Sequence, residues 1–311
     1  MAITTQLMAR GNALFSLAQR RGVRDTISGY MFLLPFFVLY CLLKLWPIVN
    51  GFWISLHRWE TIGTNVSFIG LGNYQRILQD RLFWEAVQHT LYFTALSTPT
   101  LIIGGLCLAL ILNRPLFSGG VFRTLYYLPN VLSTAVVGLI FLAVLGSSDS
   151  GLVNAFLGKL GISPISFMLD SGWAMPSVAF ATLWCTVGFN MLILLAGLQS
   201  VPDEINDAAK VDGANDWQRF WRITLPLLRR PLMLVTILQV ISSFQVFGQI
   251  DVMTKGGPGG QTRSIVYYIF ERSFKEYQLG YGSAIAFLLF VVLFVLSISQ
   301  LRLFSREEDV I

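Results

Sequence analysis

Long apolar segments alternate with short polar segments along most of the 311-residue chain. Six apolar segments reach the roughly 20 residues that an α-helix needs to cross a hydrocarbon layer about 30 Å thick. They cover residues 27–54, 86–112, 121–145, 174–198, 227–250 and 281–303. The ten-residue alternating segments of a membrane β-barrel are absent from the sequence. We therefore predict an all-α membrane protein with six transmembrane helices.

The composition supports a membrane location. Hydrophobic residues make up 54% of the chain and charged residues only 13%, whereas soluble domains carry about 25% charged residues. A soluble globule with this composition would expose large apolar patches. Internal prolines, such as Pro35, Pro99 and Pro129, predict local kinks that neighbouring helices must stabilise.

The basic residues predict the orientation of the helices. Thirteen Lys and Arg residues fall on one side of the predicted spans and eight on the other, while Lys44 lies inside the outer part of the first span. The positive-inside rule places the richer side, with both termini, in the cytoplasm. This gives a cytoplasmic segment 1–26, a membrane domain 27–303 and a cytoplasmic tail 304–311. The basic N-terminus resembles the start of a signal peptide, but the apolar run after it is too long and has no cleavage site.

Several site chemistries are not supported by the sequence. Cys41, Cys107 and Cys185 each lie inside an apolar run, and His57 and His89 are isolated near span ends. We therefore expect no metal site and no disulfide framework. The net charge of +5 comes from basic residues that flank the spans, so nucleic acid is not an expected partner. A G-x-x-x-x-G-K-[ST] phosphate-binding motif is also absent from the sequence.

A polar loop, residues 199–231, separates the fourth and fifth spans. Pro202 suits the first turn of a helix whose positive end Asp203 and Glu204 would stabilise. Gly213 permits a sharp turn, after which Trp217 and Trp221 lie on one face of a second helix. Such a pair of helices suits a contact in a groove of another protein. The alternative is an amphipathic hairpin on the membrane surface, which composition alone slightly favours.

The motif within this loop resembles the "EAA" loop of binding-protein-dependent ABC import permeases. The matching residues are Asp207, Ala208, Ala209, Asp212, Gly213, Ala214, Phe220, Ile223, Leu225 and Pro226. Asp207 replaces the glutamate of the family motif and places the carboxylate on a shorter stem. Residues 68–74, 122–124 with 128–129, 254–258 and 280–284 resemble the carbohydrate-uptake branch, the maltose-type importers. The resemblance covers nearly all of the chain after about residue 28.

This resemblance implies the type I ABC importer permease fold, with the loop forming cytoplasmic coupling helices between spans 4 and 5. It implies a transport subunit without its own ATPase site, in a bacterial-type cytoplasmic (inner) membrane. The implied partners are a second homologous permease subunit, two cytoplasmic ABC ATPase subunits, an extracytoplasmic solute-binding protein and membrane lipid. ATP and Mg would bind to the ATPase subunits, and this chain would bind no cofactor.

Neutral polar side chains within the spans predict the path of the solute. Gln239, Ser242 and Ser243 share one face of the fifth span, which Val246 continues, and Thr186 and Asn190 recur on the fourth span near Trp184. Sugars bind amides, hydroxyls and aromatic faces, which these stripes supply. The alternative for any single residue is interhelical hydrogen bonding. On the outer side, we predict contact with the binding protein at Lys255, Gly256, Gly257 and Pro258, the alternative being a flexible connector.

The sequence thus predicts one permease subunit of an ATP-driven importer for a sugar, oligosaccharide or polyol. Glycerol phosphate or another small solute remains an alternative cargo. An ion-coupled secondary transporter is the alternative class, but such proteins need acidic residues inside the membrane, and the predicted spans contain few. A membrane-embedded enzyme would need clustered His, Glu or Cys residues within the spans.

Overall fold

The computed structural model describes residues 30–60, 66–114, 119–146 and 151–305. The predicted N-terminal segment 1–26, the first three residues of the first predicted span and most of the tail 304–311 lie outside these ranges.

The described part of the chain is mainly helical. The helices are α1 (Tyr30–Ser55), α2 (Gly72–Gln79), α3 (Arg81–Leu112), α4 (Gly119–Val131), α5 (Thr134–Val144), α6 (Leu152–Lys159), α7 (Ser171–Gln199), α8 (Asp203–Val211), α9 (Asp216–Leu227), α10 (Arg229–Phe244), α11 (Gly248–Met253), α12 (Ile265–Phe270) and α13 (Leu279–Ser305). A π-helical turn, Glu271–Lys275, extends α12.

Four of the described helices are long and apolar enough to cross a membrane. They are α1, α3, α7 and α13, which correspond to the first, second, fourth and sixth predicted spans. Two bent pairs add to them: α4 with α5, at 99°, and α9 with α10, at 66°. The described chain therefore has up to six spans if each pair counts as one.

The predicted third and fifth spans are not continuous helices. Pro129 has no N–H to donate to the preceding turn, and Ser133 caps the start of α5 through the backbone N–H of Val136. The third span therefore divides into α4 and α5. The fifth divides after Phe244, because α10 ends there and α11 begins only at Gly248.

A short β-hairpin follows α1, which the prediction of a purely α-helical fold missed. Strands β1 (His57–Trp59) and β2 (Val66–Phe68) pair antiparallel, with His57 opposite Phe68. The Asn73 amide donates hydrogen bonds of 2.8 and 3.0 Å to the carbonyls of Ser55 and His57. Asn73 thus satisfies carbonyl groups that the end of α1 and the first strand leave free.

Two π-helical turns precede prolines. Cys41–Leu45 lies just before Pro47 in α1, and Phe220–Thr224 lies just before Pro226 in α9. A proline lacks an N–H and its ring collides with the carbonyl four residues earlier in a regular helix. The wider turn makes room for the ring, so both helices continue through the proline.

Buried clusters show which helix ends lie together. One cluster contains Leu112, Leu198 and Leu228, from the end of α3, the end of α7 and the residue that precedes α10. Another contains Phe83, Tyr268 and Tyr281, from the start of α3, α12 and the start of α13. Because α3 is 32 residues long, about 48 Å at 1.5 Å per residue separates the two ends. Loop 199–231 therefore lies at the opposite end from the β-hairpin and residues 254–281.

Candidate functional site

The turn between α8 and α9 has the geometry of a glycine-terminated helix. The backbone N–H of Ala214 donates to the carbonyl of Ala209 at 2.9 Å, and that of Gly213 donates to Lys210 at 3.0 Å. Gly213 itself has φ +79°, a left-handed conformation that glycine adopts without strain. These two bonds form a Schellman motif. The sequence prediction that Gly213 allows a sharp turn is confirmed.

A capping box starts the second helix immediately after this turn. Asn215 accepts a hydrogen bond from the backbone N–H of Gln218 at 2.8 Å, and the Gln218 side chain accepts one from the backbone N–H of Asn215 at 3.0 Å. Reciprocal bonds of this kind fix the direction in which a helix begins. The turn and the box together set the angle between α8 and α9.

The hairpin of α8 and α9 exposes an apolar face. Val211 is 88% exposed and Trp217 is 70% exposed, and Ile205 and Trp221 are also exposed. Trp217 and Trp221 contact each other edge to face, with ring centroids 5.5 Å apart. Ala208 is exposed as well. We use the name hairpin face for the exposed residues Ile205, Ala208, Val211, Trp217 and Trp221.

The two alanines of the motif are not equivalent. Ala208 is exposed, whereas Ala209 is buried, with 8% of its surface exposed. Both alanines belong to the motif that resembles the coupling loop, but only Ala208 lies on the surface where it could contact a partner. Asp207 points outward and accepts a hydrogen bond of 2.8 Å from Lys210, which holds the pKa of the Asp207 carboxyl below its ordinary value.

The other motif residues connect the hairpin to the bundle. A surface pocket of about 300 Å³ lies at the turn between α8 and α9 and is lined by Asp212, Gly213, Ala214 and Ile223. Phe220 lies half-buried against Trp221, with ring centroids 5.2 Å apart, while Leu225 and Pro226 lie in the last turn of α9. The next residue but one, Leu228, is fully buried between α3 and α7. Movement of the hairpin would therefore reach the bundle through α9.

A polar cavity of about 310 Å³ lies where α4, α7 and α10 approach each other. Its lining contains amides, hydroxyls and two phenylalanine rings, and none of the described residues that line it is charged. The lining residues are Phe93, Asn130, Leu132, Thr134, Thr182, Cys185, Thr186, Gln239, Ser242, Ser243, Gln245, Val246, Phe247, Gly248 and Gln249.

The break between α10 and α11 forms one wall of this cavity. Breaking a helix frees backbone carbonyls, and irregular backbone at membrane depth is tolerated where it lines a cavity or is satisfied by protein. The fully buried Ser264 donates a hydrogen bond of 2.6 Å to the freed carbonyl of Val246. Gly248 lies so close to Thr134 that a Cβ atom there would approach its Cγ2 to 2.7 Å. Ser264 thus stabilises the break and Gly248 permits it, and neither residue was predicted from the sequence.

Five of the seven predicted path residues line this cavity: Thr186, Gln239, Ser242, Ser243 and Val246. Asn190 is fully buried behind the lining and contacts Gln239. Trp184 is not among the lining residues and instead contacts Phe141, with ring centroids 5.7 Å apart. Phe93 and Phe247 line the cavity but were not predicted, since no path residue was assigned to α3 and the break after α10 was not foreseen.

The glycine-rich segment near residue 255 is an ordered part of the fold. Thr262 bonds to Thr254 and to the carbonyl of Gly257, both at 2.7 Å. Gly256, with φ +79°, is buried so close to Tyr267 that a Cβ atom would lie 2.6 Å from the ring. Lys255 is exposed, whereas Gly257 and Pro258 are half-buried.

Comparison with known proteins settles the family. Residues 83–308 match the family described as binding-protein-dependent transport system inner membrane component. The chain belongs to this family. It is therefore a permease subunit, a transport component rather than an enzyme.

Curated relatives cover nearly the whole permease. The trehalose/maltose transport system permease protein MalF of Thermococcus litoralis is 37% identical, over 94% of this chain and 99% of that protein. The arabinooligosaccharides transport system permease protein AraP of Bacillus subtilis is 34% identical, over 93% of both chains. The lactose transport system permease protein LacF of Rhizobium radiobacter is 32% identical, over 91% of this chain and 95% of that protein.

A solved structure shares the fold of this permease. It is a bacterial ABC transporter involved in the import of the acidic polysaccharide alginate, with a TM-score of 0.80 and 22% identity. The match covers 92% of this chain and 98% of the other.

Proposed function

We propose that this permease carries a neutral, hydroxyl-rich solute across the membrane as one half of an ATP-driven importer. The cargo would be a sugar, oligosaccharide or polyol. A second, homologous permease subunit would complete the path, two cytoplasmic ATPase subunits would bind ATP and Mg, and an extracytoplasmic binding protein would deliver the solute. The cavity between α4, α7 and α10 would form this subunit's part of the path.

The uncharged polar lining of the cavity is the observation that carries this proposal. Amide groups of Gln239, Gln245 and Asn130 and hydroxyl groups of Ser242 and Thr186 can bind sugar hydroxyls. Phe93 and Phe247 add aromatic faces. The relatives named above for trehalose, maltose, arabinooligosaccharide and lactose transport support the same class of cargo.

The same lining disfavours the two alternatives. A phosphate group needs cationic or strongly donating partners, and the described lining contains no cation, which counts against glycerol phosphate. An ion-coupled transporter usually places acidic side chains near the bilayer midplane, and the described lining contains no carboxylate.

We further propose that six spans cross the membrane and that both termini lie in the cytoplasm. The clustering of Leu112, Leu198 and Leu228 supports this topology, because it puts loop 199–231 at the end that the basic residues predict to be inside. The hairpin face would then dock in a groove of an ATPase subunit as helices dock in apolar grooves. Lys255 and the neighbouring Gly256, Gly257 and Pro258, at the opposite end, would face the binding protein.

The proposal is tested by transport through the complete assembly in proteoliposomes. The assembly contains this permease, its partner permease, the ATPase pair and the binding protein. We expect uptake of radiolabelled maltose, trehalose or lactose only when ATP is supplied on the ATPase side. Uptake that persists without ATP and follows an imposed proton or sodium gradient would favour a secondary transporter instead.

Substitutions then test whether the solute passes through the cavity. Gln239→Ala removes an amide from the lining and should slow uptake. Thr236→Ala is the matched control, because Thr236 lies almost one turn earlier on α10 and its hydroxyl donates to the Leu232 carbonyl at 2.7 Å. Equal uptake by the two variants would place the path elsewhere.

A further inference from the structure

A second layer of polar side chains lies behind the wall of the cavity. Ser97 and Thr98 on α3 and Asn190 on α7 are 1%, 7% and 0% exposed, and none of them lines the cavity. Each one bonds to a residue that does, namely Ser243 or Gln239. Which atom donates the proton in each of these bonds determines which groups the wall offers to a solute.

The first chain of bonds ends at Ser243. The Ser97 hydroxyl donates its only proton to the carbonyl of Phe93 at 2.7 Å. The Ser243 hydroxyl lies 3.1 Å from Ser97 and must therefore be the donor in that bond. Thr98 lies 3.1 Å from Ser243 and must donate to it, since the Ser243 proton is already used. Ser243 keeps one lone pair and can only accept a hydrogen bond from a solute.

The second chain of bonds ends at Gln239. A backbone carbonyl can only accept, so Asn190 must turn its amino group towards Leu101, at 3.4 Å. The Asn190 oxygen then faces Gln239 and accepts a hydrogen bond of 2.8 Å from the Gln239 amino group. This leaves the Gln239 oxygen and one N–H for the cavity. Gly105 permits the arrangement, because a Cβ atom there would lie 2.8 Å from the Asn190 Cβ.

We infer that Ser97, Thr98 and Asn190 are positioning residues that fix the hydrogen-bond polarity of this wall. Ser243 and the Gln239 oxygen are held as acceptors, so the solute must present hydroxyl donors to them. The remaining Gln239 N–H can still donate, but at the positions that face these two acceptors the wall selects free hydroxyl groups over ethers or fluorine atoms. This inference rests on the proposed function, because it assumes that the solute passes through the cavity.

Fluorinated sugars test the polarity, since fluorine replaces a hydroxyl without offering a proton. The assembled importer would be supplied with maltose and with each monodeoxyfluoro-maltose, and initial uptake rates compared. For at least one position we expect the wild type to prefer the hydroxyl about three- to tenfold, the worth of one neutral hydrogen bond. Ser97→Ala frees the proton of Ser243, which can then donate to fluorine, so that preference should fall towards one.

The binding protein's own preference is the same in every measurement, so it cancels when the preference of a variant is divided by that of the wild type. Thr100→Ala is the matched control: Thr100 lies on the same helix and donates to the carbonyls of Leu96 and Ser97, but it is not bonded to Ser243. It should keep the wild-type preference. A wild type that accepts every fluorinated analogue equally well, or a Ser97→Ala variant with unchanged preference, would overturn the inference.

A measurement without solute separates this inference from the proposed function. Asn190→Leu and Gln239→Leu remove the two ends of one bond, so the fall in melting temperature of the double variant should be smaller than the sum of the single effects. Asn190→Leu with Thr236→Ala should be additive. If the wild type takes up no maltose, trehalose or lactose, the carbohydrate proposal fails. Independently of that result, additive effects of Asn190→Leu and Gln239→Leu would overturn the inference that Asn190 positions Gln239.

Discussion

The hydroxyl of Tyr281 donates a hydrogen bond of 2.5 Å to the carboxylate of Asp80, although 201 residues separate them in the chain. Tyr268 donates to the same oxygen, and Arg272 donates to the Tyr268 hydroxyl at 2.7 Å. The other Asp80 oxygen caps α3 by accepting from the backbone N–H of Leu82 at 3.0 Å. One carboxylate thus connects the start of α3, helix α12 and the start of α13.

Replacing this carboxylate should destabilise the end of the bundle that carries the β-hairpin. Asp80→Asn places an amino group where two tyrosine hydroxyls now donate, and we expect a loss of about 2 kcal/mol because bonds to charged groups are strong. Glu85→Gln is the control, since Glu85 pairs with Arg81 at 2.8 Å on the surface, where such pairs contribute little. The measurement is the melting temperature of the purified subunit. Equal melting temperatures for the two variants would contradict the role of Asp80.

The same carboxylate should make stability depend on pH. Burial raises the pKa of Asp80, but the hydrogen bonds from Tyr268 and Tyr281 and the charge of Arg272 outweigh it and leave the pKa below its ordinary value. A carboxyl whose pKa is lowered by folding stabilises the protein above its unfolded pKa, and this stability is lost as the pH falls through the folded pKa. Between about pH 5 and about pH 3, wild type should therefore lose more stability than Asp80→Asn. Parallel curves for the two proteins would contradict this.

Helices α4 and α7 approach each other closely at Gly188. A Cβ atom at Gly188 would lie 1.9 Å from the Tyr126 carbonyl oxygen, so Gly188→Ala must push α4 away from α7. Overpacking of this kind costs about 1–3 kcal/mol. Gly158→Ala, in α6, is the control because nothing lies within 4 Å of the added atom. Size-exclusion chromatography after heating should show aggregation of the Gly188 variant at a lower temperature, whereas similar profiles would argue against tight packing there.

The sequence predicted those features that depend on neighbours in the chain. Spans 1, 2, 4 and 6 were found to within about five residues, because the length of an apolar run is a local property. The turn at Gly213 was predicted because a left-handed turn favours glycine.

Features that depend on distant residues could not be predicted. The break after Phe244 is stabilised by Ser264, which is 18 residues from the carbonyl it satisfies. The bond between Ser97 and Ser243 joins residues 146 apart. A polar stripe on one helix does not show whether a side chain faces a cavity or a partner behind it. Asn190 was therefore predicted in the path, although it lies behind the lining.

The turn at Gly213 should be essential for transport if the hairpin transmits movement from the ATPase. Proline fixes φ near −65°, which the observed φ of +79° excludes, so Gly213→Pro must break the Schellman turn. The Cβ atom of Gly213→Ala has open space around it. Holding alanine in the left-handed conformation lowers the stability of the turn by only about 1–2 kcal/mol. ATP-driven uptake should be abolished by proline and largely kept by alanine, while both variants still assemble with the partner permease. Normal uptake by the proline variant would show that the turn at Gly213 does not transmit movement from the ATPase.

Crosslinking should identify the surface that contacts the ATPase. Cys41, Cys107 and Cys185 are free, so they are first replaced by serine. Val211→Cys, at an 88% exposed position on the hairpin face, should crosslink to cysteines placed along an ATPase groove, whereas Ala209→Cys, at an 8% exposed position, should not. The two positions are two residues apart, so the comparison distinguishes the exposed face from the buried one. Crosslinks from Ala209 but not from Val211 would mean that the hairpin opens before it docks. No crosslink from either, with several groove positions tried, would mean that another surface receives the ATPase.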